Sequence, residues 1–303
     1  MARLHPALAA VLLCGAAAPF LSAADPVAAD PRQRPLFSRL GGLFSGDLPQ
    51  LDPPGTMKVI LRPHFGDLVR RDYMRVETGL RWSFNDNFEL SGEAFTYFTH
   101  GFGDEEEGNG VGKLRFGAKY FFENFPRAGY ETSLALNVDS PVGAPPVDMT
   151  DGQHHFAPSF VVQRQSRHQP RLTTYAGMGL DLLRESDVAG TWGFNQPRDD
   201  SASVTAGALY DMGQLKWTLS GTYATTAVIG DVTEHFYYLQ PGLLWYVPSR
   251  FTFNSKTQWI VGFRGRASWG PDGSEFGVGT RVRAEITFRQ VMQKLRRIDP
   301  GSK

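Results

Sequence analysis

A two-residue alternation in the segment 276–288, "FGVGTRVRAEITF", constrains the fold of this chain more than any other feature. One parity is largely apolar: Phe276, Val278, Thr280, Val282, Ala284, Ile286 and Phe288. The other parity is small, polar or charged: Gly277, Gly279, Arg281, Arg283, Glu285 and Thr287. Successive side chains of an extended strand point to opposite faces, so this period indicates a strand with one apolar and one polar face.

The same alternation recurs along the chain and predicts about twelve strands. The predicted strands are 57–67, 72–84, 88–99, 111–122, 130–140, 154–164, 172–184, 202–210, 215–228, 235–247, 256–269 and 276–288. The links between them alternate between short turns, such as 85–87, and longer loops, such as 141–153 and 186–201. Segments of about ten alternating residues with short turns on one rim and long loops on the other are typical of outer-membrane barrels.

The position of the charged parity separates two possible folds. In a soluble β-sandwich the charged parity faces water, and strands are about 5–6 residues long. Here the predicted strands are longer, and aromatic residues such as Trp82, Phe122 and Trp217 lie beside the short turns, as in the aromatic belts of membrane proteins. We therefore expect an all-β fold, a single membrane-spanning antiparallel up-and-down β-barrel, with its charges facing the lumen.

Four segments are predicted: a signal peptide (1–24), a Pro-rich periplasmic lead-in (25–55), the transmembrane barrel (56–288) and a basic C-terminal tail (289–303). The first segment has Arg3 near its start, then an apolar stretch and a small-residue cleavage site, which is the pattern of an exported protein. Its removal takes away Cys14, the only cysteine, so we expect no disulfide in the mature chain. A plug formed by residues 36–48 is an alternative for the lead-in.

Two stretches resemble a known family. These are "GVGKLRFGAKYFF" (110–122) and "SLALNVDSPVG" (133–143), a strand and turn followed by a strand that ends in a Pro-x-Gly loop. They are similar to the outer-membrane transporters grouped with meta-pathway phenol degradation. The resemblance implies an outer-membrane barrel with a role in small-molecule transport, and it transfers no functional residue.

Placing the charged parity inside the barrel gives the lumen an excess of basic residues. The residues predicted to line the solute path are Lys58, Arg62, Arg75, Arg81, Arg264, Arg266, Arg281, Arg283, Glu89, Glu93, Glu131 and Asp139. A tight link at 270–275 predicts that Arg264 lies opposite Arg281, within a basic wall that the four acidic residues face across the lumen. Basic walls favour anions in pores, whereas a structural ion-pair network that fills a narrow barrel is the alternative.

The partners follow from the same pattern. With 31 basic and 31 acidic side chains the formal charge is zero, which disfavours a nucleic-acid partner. We expect contact with outer-membrane lipids and passage of small solutes, anions being favoured. The other interpretation is a closed structural or adhesive barrel that acts through its extracellular loops.

No cofactor, metal site or catalytic centre is predicted. The pair His154 and His155 would point to opposite faces of a strand and chelate poorly, and the acidic run 104–107 lacks the spacing of a calcium loop. Nothing in the sequence places a serine beside a histidine and an orienting Asn or Asp, as nucleophilic catalysis requires.

Overall fold

Twelve antiparallel strands close into a barrel in the computed structural model, which describes residues 51–65, 72–100, 108–252 and 257–287. The strands are β1 Met57–Pro63, β2 Tyr73–Ser83, β3 Phe88–Thr99, β4 Asn109–Glu123, β5 Glu131–Pro141, β6 Gln153–Gln165, β7 Leu172–Glu185, β8 Ser201–Asp211, β9 Leu215–Thr225, β10 His235–Tyr246, β11 Gln258–Gly270 and β12 Gly273–Thr287. Each strand pairs with its neighbours in the chain, and β1 pairs with β12 to close the sheet. The predicted all-β, twelve-stranded barrel is confirmed.

The predicted signal peptide, almost all of the lead-in and the C-terminal tail lie outside the described residues. These segment boundaries stay predictions. The last residues of the lead-in are described, and Asp52 is buried there with its Oδ1 atom 2.7 Å from Nζ of Lys58. The chain therefore places an acidic side chain at the periplasmic rim before β1 begins.

The two faces of the sheet show an inverted distribution of polarity. Large apolar side chains are exposed on the outer face, for example Phe116 (58 %), Leu134 (48 %) and Val278 (67 %). Charged side chains such as Arg81 and Glu93 are buried at alternate positions, with 4 % and 5 % of their surface exposed. A sheet that exposes its apolar residues and encloses its charges has the outer surface of a barrel that lies in lipid.

The links at the two rims differ in length. At the rim that holds the start of β1 and the end of β12, the links 84–87, 124–130, 166–171 and 212–214 are short, and the link 247–257 is longer and contains the 3-10 helix Ser249–Phe251. At the other rim lie the loops 142–152, 186–200 and 226–234. Because short turns are periplasmic in such barrels, we assign the loops to the extracellular side. No helix within the described ranges is long and apolar enough to span a membrane.

Aromatic rings cluster where strands meet the short links. Trp82 packs edge-to-face on Phe84, with ring centroids 5.0 Å apart, and Tyr120 and Phe125 lie on either side of Phe122 at 4.7 and 5.8 Å. Amphipathic rings favour the level of the lipid headgroups. The rings therefore form part of an aromatic belt at the periplasmic rim.

The β11–β12 hairpin corrects the predicted register. The strands extend to Gly270 and Gly273, which pair with each other, so that the turn contains only Pro271 and Asp272. Positive φ (110°) at Gly273 suits glycine in this tight turn. The prediction assigned 270–275 to the link and was two residues out of register: Arg264 lies opposite Gly279, not opposite Arg281.

Candidate functional site: the lumen and its extracellular entrance

The interior face of β1 to β5 carries a network of buried ion pairs. Arg62 of β1 reaches Glu77 of β2 at 2.8 Å and Glu93 of β3 at 2.6 Å. Glu89 of β3 lies between two bases, Arg81 of β2 at 3.4 Å and Lys119 of β4 at 3.6 Å. These side chains are at most 8 % exposed, so each charge is compensated where it is buried, as burial of a charge requires.

The network continues onto β4 and β5. Asp139 accepts two hydrogen bonds from Arg115 and lies 3.3 Å from Nζ of Lys113. A forked guanidinium–carboxylate pair of this kind fixes both groups geometrically. Glu131, nearer the periplasmic rim, accepts a hydrogen bond of 2.6 Å from Gln163 on β6.

These contacts correct the predicted arrangement of charge. Glu89 and Glu93 were expected to face the basic residues across the lumen, but Glu89 binds Arg81 on the adjacent strand β2 and Glu93 binds Arg62 on β1, two strands away in the same wall. The reason is proximity in the sheet, since β3 lies next to β2 and two strands from β1. The prediction of a transverse electric field between opposite walls is therefore wrong for β1–β3. Arg75 also lies on the interior face, opposite Tyr97.

The interior face of β7 to β10 is neutral over most of its height. Between Asp181 near one rim and the pair Asp211–Lys216 near the other, the described interior positions are small or hydroxylated, with aromatic and aliphatic residues between them. These positions include Gly177, Gly179, Ser203, Thr205, Gly207, Thr218, Ser220 and Thr222. This wall supplies hydrogen-bonding groups but no charge to the middle of the lumen.

Arginines occupy the interior face of β11 and β12. Arg264 donates to the side-chain amide of Gln240, and the Arg266 guanidinium lies 5.1 Å from the centroid of the Tyr238 ring. Opposite them on β12 stand Gly279 and Gly277, where an added Cβ atom would meet nothing within 4 Å. Arg266 therefore borders open space rather than a packed neighbour.

The other two arginines of this wall lie lower on β12. Arg283 pairs with Ile260 in the β11–β12 ladder, and Arg281 pairs with Gly262. Both stand at interior positions of the strand by this register, and Arg283 is partly buried. The register thus places positions 281 and 283 on the interior face of β12, next to β11.

Several interior groups were missed by the sequence analysis. His64 continues the interior parity of β1 and contacts Glu77 at 2.7 Å, so the alternation alone could have found it. Asp52 and Asp151 lie outside strands, and no periodicity indicates them. Asp151 and Asp181 contact the two ring nitrogens of His155 at 2.9 and 3.0 Å.

Two extracellular loops fold inward over the entrance. In the loop 142–152, Asp148 accepts a hydrogen bond of 2.5 Å from Tyr73 of β2, and the carbonyl of Ala144 accepts one of 3.1 Å from Tyr97 of β3. In the loop 186–200, which we call the crossing loop, the backbone N–H of Thr191 donates to the carbonyl of Thr150 at 2.9 Å. The two loops therefore contact each other above the lumen.

The outer face near this rim holds one serine–histidine pair. Ser140 and His154, on neighbouring strands, are 2.7 Å apart from Oγ to Nδ1, a contact that the sequence did not suggest. In the described ranges no hydrogen bond or ion pair to a carboxylate or amide orients this imidazole, so the third group of a hydrolytic triad is missing. Among the same residues, no group of three or more His, Cys, Asp or Glu side chains is placed to hold a metal ion.

Comparison with known proteins gives a fold likeness only. No family model matches the chain, and no curated relative matches it. One similar solved structure is the KdgM porin in complex with disordered oligogalacturonate, at 10 % identity and a TM-score of 0.41. The match covers 77 % of this chain and 97 % of the porin chain. A second is the outer-membrane channel DcaP of Acinetobacter baumannii, at 10 % identity and a TM-score of 0.34. That match covers 77 % of this chain and 96 % of the DcaP chain.

A third similar structure, OccAB4 of Acinetobacter baumannii, covers 71 % of this chain and is itself covered to 53 %, at 14 % identity and a TM-score of 0.35. These scores describe a weak likeness to bacterial outer-membrane barrels, and the resemblance to meta-pathway transporters stays a prediction. The closed sheet, the apolar outer face and the unequal rims identify the chain as a β-barrel of the bacterial outer membrane.

Proposed function

We propose that this barrel is a passive channel for small solutes and that the wall formed by β11 and β12 favours anions. The charge distribution inside the barrel carries the proposal. On β1 to β5 the buried bases lie against carboxylates, for example Arg62 against Glu93. On β11, by contrast, the described contact of Arg266 is with the neutral ring of Tyr238.

Arg266 is the residue that best supports a preference for anions. In the described part of the chain it makes no ion pair, and its positive charge is met only by the face of Tyr238. The bare backbone at Gly277 leaves space next to it, and β10 beside it presents no acidic side chain to the lumen. A positive charge in a low-dielectric wall attracts anions to its neighbourhood.

A finer part of the proposal concerns the solute itself. The resemblance of the segments 110–122 and 133–143 to meta-pathway transporters would make the solute an aromatic compound. An aromatic acid would combine that chemistry with the basic wall. This part depends on the two quoted segments and on no contact described above.

Planar-bilayer recordings of the purified barrel test the proposal. We expect discrete conductance steps and, in a salt gradient, a reversal potential of the sign that anion selectivity gives. Folding is verified separately by heat-dependent gel migration. A channel with cation selectivity contradicts the anion preference but not the channel.

A closed barrel that acts through its extracellular loops is the second candidate. The inward-folded loops 142–152 and 186–200 favour it, because they narrow the entrance. So does the ion-pair network, which occupies part of the interior. Absence of conductance from verified folded protein would support this candidate over the channel.

A further inference from the structure

Two consecutive residues of the crossing loop are bound to opposite sides of the barrel. The backbone N–H of Asn195 donates to Asp272 at 2.9 Å, and the side-chain amide of Gln196 donates to Asp151 at 2.5 Å. Asp272 lies in the turn between β11 and β12, and Asp151 lies in the loop between β5 and β6. In a closed ring of twelve strands these two connections are six strands apart, which is half of the circumference. The loop therefore spans the entrance.

The attachment on the β11–β12 side is buried. Asn195 has none of its surface exposed, and its side-chain amide donates to Ser268 at 3.3 Å and to the carbonyl of Gly273 at 3.0 Å. Its own carbonyl accepts a hydrogen bond of 2.5 Å from the hydroxyl of Tyr238. Positive φ (49°) at Asn195, an uncommon conformation that Asn adopts more readily than most residues, aims the backbone into this pocket. Arg198 adds an ion pair with Asp272 at 3.1 Å.

The attachment on the β5–β6 side is charged. The Asp151 carboxylate that binds Gln196 also contacts Nε2 of His155, whose Nδ1 contacts Asp181. A neutral imidazole has only one N–H, so hydrogen bonds to two carboxylates require the doubly protonated ring. Nearby, Asp139 lies opposite His155 in the ladder and is neutralised by Arg115.

A contact of the Ser186 hydroxyl and a close backbone approach, both to the main chain of the loop 142–152, reinforce this side. Ser186 donates to the carbonyl of Gly152 at 2.7 Å, and a Cβ atom at Gly190 would lie 2.2 Å from the backbone nitrogen of Gly152. The two backbones are thus in direct contact, which only glycine permits at position 190. The crossing loop is held along its length and not at a single point.

We infer that the crossing loop is the element that limits the size of solutes admitted to the lumen, with Asp151 and Asp272 as its two anchors. This inference rests on the proposed channel function. A solute that enters from outside must pass beside Asn195 and Gln196. On the β11 side the same passage lies next to Tyr238, which contacts both Asn195 and Arg266. The Tyr238 side chain therefore contacts both the loop that we infer to limit solute size and the arginine that we propose to favour anions.

Removal of both anchors tests the inference. In the double variant Asp151→Ala with Asp272→Ala, we expect a larger conductance step than in the wild type. We also expect liposomes that contain the variant to swell in a sugar that the wild-type channel excludes. The control is Asp187→Ala, which removes the same type of side chain from an exposed position of the same loop. Equal steps and equal sugar exclusion in all three proteins would overturn the inference.

A reducible cross-link between the crossing loop and the β11–β12 turn tests the same inference within one variant, so that the two states compared have the same charges at the anchor positions. In the variant Asp151→Ala with Arg198→Cys and Asp272→Cys, a short reducible bis-methanethiosulfonate reagent can join positions 198 and 272, whose native side chains are 3.1 Å apart. Apart from Cys14, the chain has no other cysteine. We expect the cross-linked form to exclude the larger sugar and the reduced form to admit it.

Cross-linking requires no conductance and therefore separates the two levels of the proposal. Efficient cross-linking in a barrel that never conducts would contradict the channel and, with it, the role in solute size, while it confirmed the position of the loop. Failure to cross-link in a conducting barrel would contradict the crossing position of the loop and leave the channel intact.

Discussion

Arg62 and Glu93 form a 2.6 Å ion pair although a whole strand, β2, lies between the strands that carry them. The pair is possible because Gly79 of β2, which lies opposite Glu93, presents no side chain between the two. A Cβ atom there would lie 2.9 Å from Cγ of Glu93. The long Arg62 side chain of β1 can therefore reach an acid two strands away. This ion pair joins β1 to β3 directly, across the strand β2 that is hydrogen-bonded to both.

The first prediction concerns this pair. Arg62→Met leaves Glu77 and Glu93 buried without their shared base, and loss of one partner of a buried ion pair costs about 3–5 kcal/mol. We expect the free energy of unfolding in urea to fall by about that amount. The control Arg184→Met removes an exposed base, 62 % accessible and 3.7 Å from Asp200; exposed pairs contribute about 0–1 kcal/mol. Similar losses in the two variants would contradict the assigned network.

A second prediction concerns charge selectivity. Arg266→Glu replaces a base that borders open lumen, so we expect the reversal potential in a salt gradient to move toward cation selectivity. Arg281→Glu combined with Arg283→Glu, lower on the same wall, should erase or reverse the anion preference. As a control, Arg164→Glu removes an equivalent arginine–tyrosine contact, 5.1 Å from Tyr130, at the periplasmic end of β6. An unchanged reversal potential in both lumen variants would refute the basic-wall hypothesis.

A third prediction concerns Gly277 and Gly279, the two glycines on the interior face of β12. Gly277→Leu places a side chain into space where a Cβ atom meets nothing within 4 Å, so the barrel should fold normally while its conductance falls. The neighbouring Val278→Leu changes a side chain on the lipid-facing side, 67 % exposed, and should leave the conductance unchanged. If the two variants exchanged these effects, the assignment of the inner and outer faces of β12 would be reversed.

The fourth prediction is a dependence on acid. Burial raises the pKa of Asp151, but hydrogen bonds and charge from His155, with smaller effects of the Gln153 backbone and Lys113, bring it below the ordinary value. Because the folded-state pKa is depressed, this anchor contributes fully above the ordinary value of about 3.9 and is lost as pH falls through the lower folded value.

We therefore expect the wild-type conductance step to stay constant as the extracellular pH falls through the ordinary carboxylate range, and to grow only in stronger acid. In Asp151→Asn, which cannot carry the charge, the acid-dependent growth should be smaller. Growth that begins well above pH 4 in the wild type would show that another group releases the loop.

The alternating pattern predicted most of the fold because it records the environment of each face. Phe116 faces lipid on the outer side of β4, whereas Lys119 faces the lumen and contacts the Glu89 carboxylate. The same alternation between an apolar outer and a polar inner residue recurs along the barrel strands. The turn at Pro271 was harder to predict, since Gly270 and Gly273 are compatible with either a longer link or a two-residue turn. That ambiguity shifted the register by two residues while it preserved the faces.

The contacts of the lumen and its entrance were beyond the sequence for a different reason. Glu93 can pair across the lumen or along the wall, and the choice depends on the closeness of β1 and β3 in a particular sheet. The hydrogen bond from Asn195 to Asp272 joins residues 77 positions apart in the chain. No periodicity reports a contact of that kind, because the loop that makes it has no regular structure.

The two anchors of the crossing loop also have a bearing on biogenesis. Asp151 precedes the loop in the chain and Asp272 follows it, in the turn between β11 and β12. Both reach it from opposite walls only when the sheet has curled far enough to face itself, a geometry completed by the seam between β1 and β12. Seating of Asn195 in its pocket thus requires β10, β11 and β12 to be in place, since these strands and their turn supply its partners, and a protease that cuts an unseated loop would distinguish barrels that have reached this stage from those that have not.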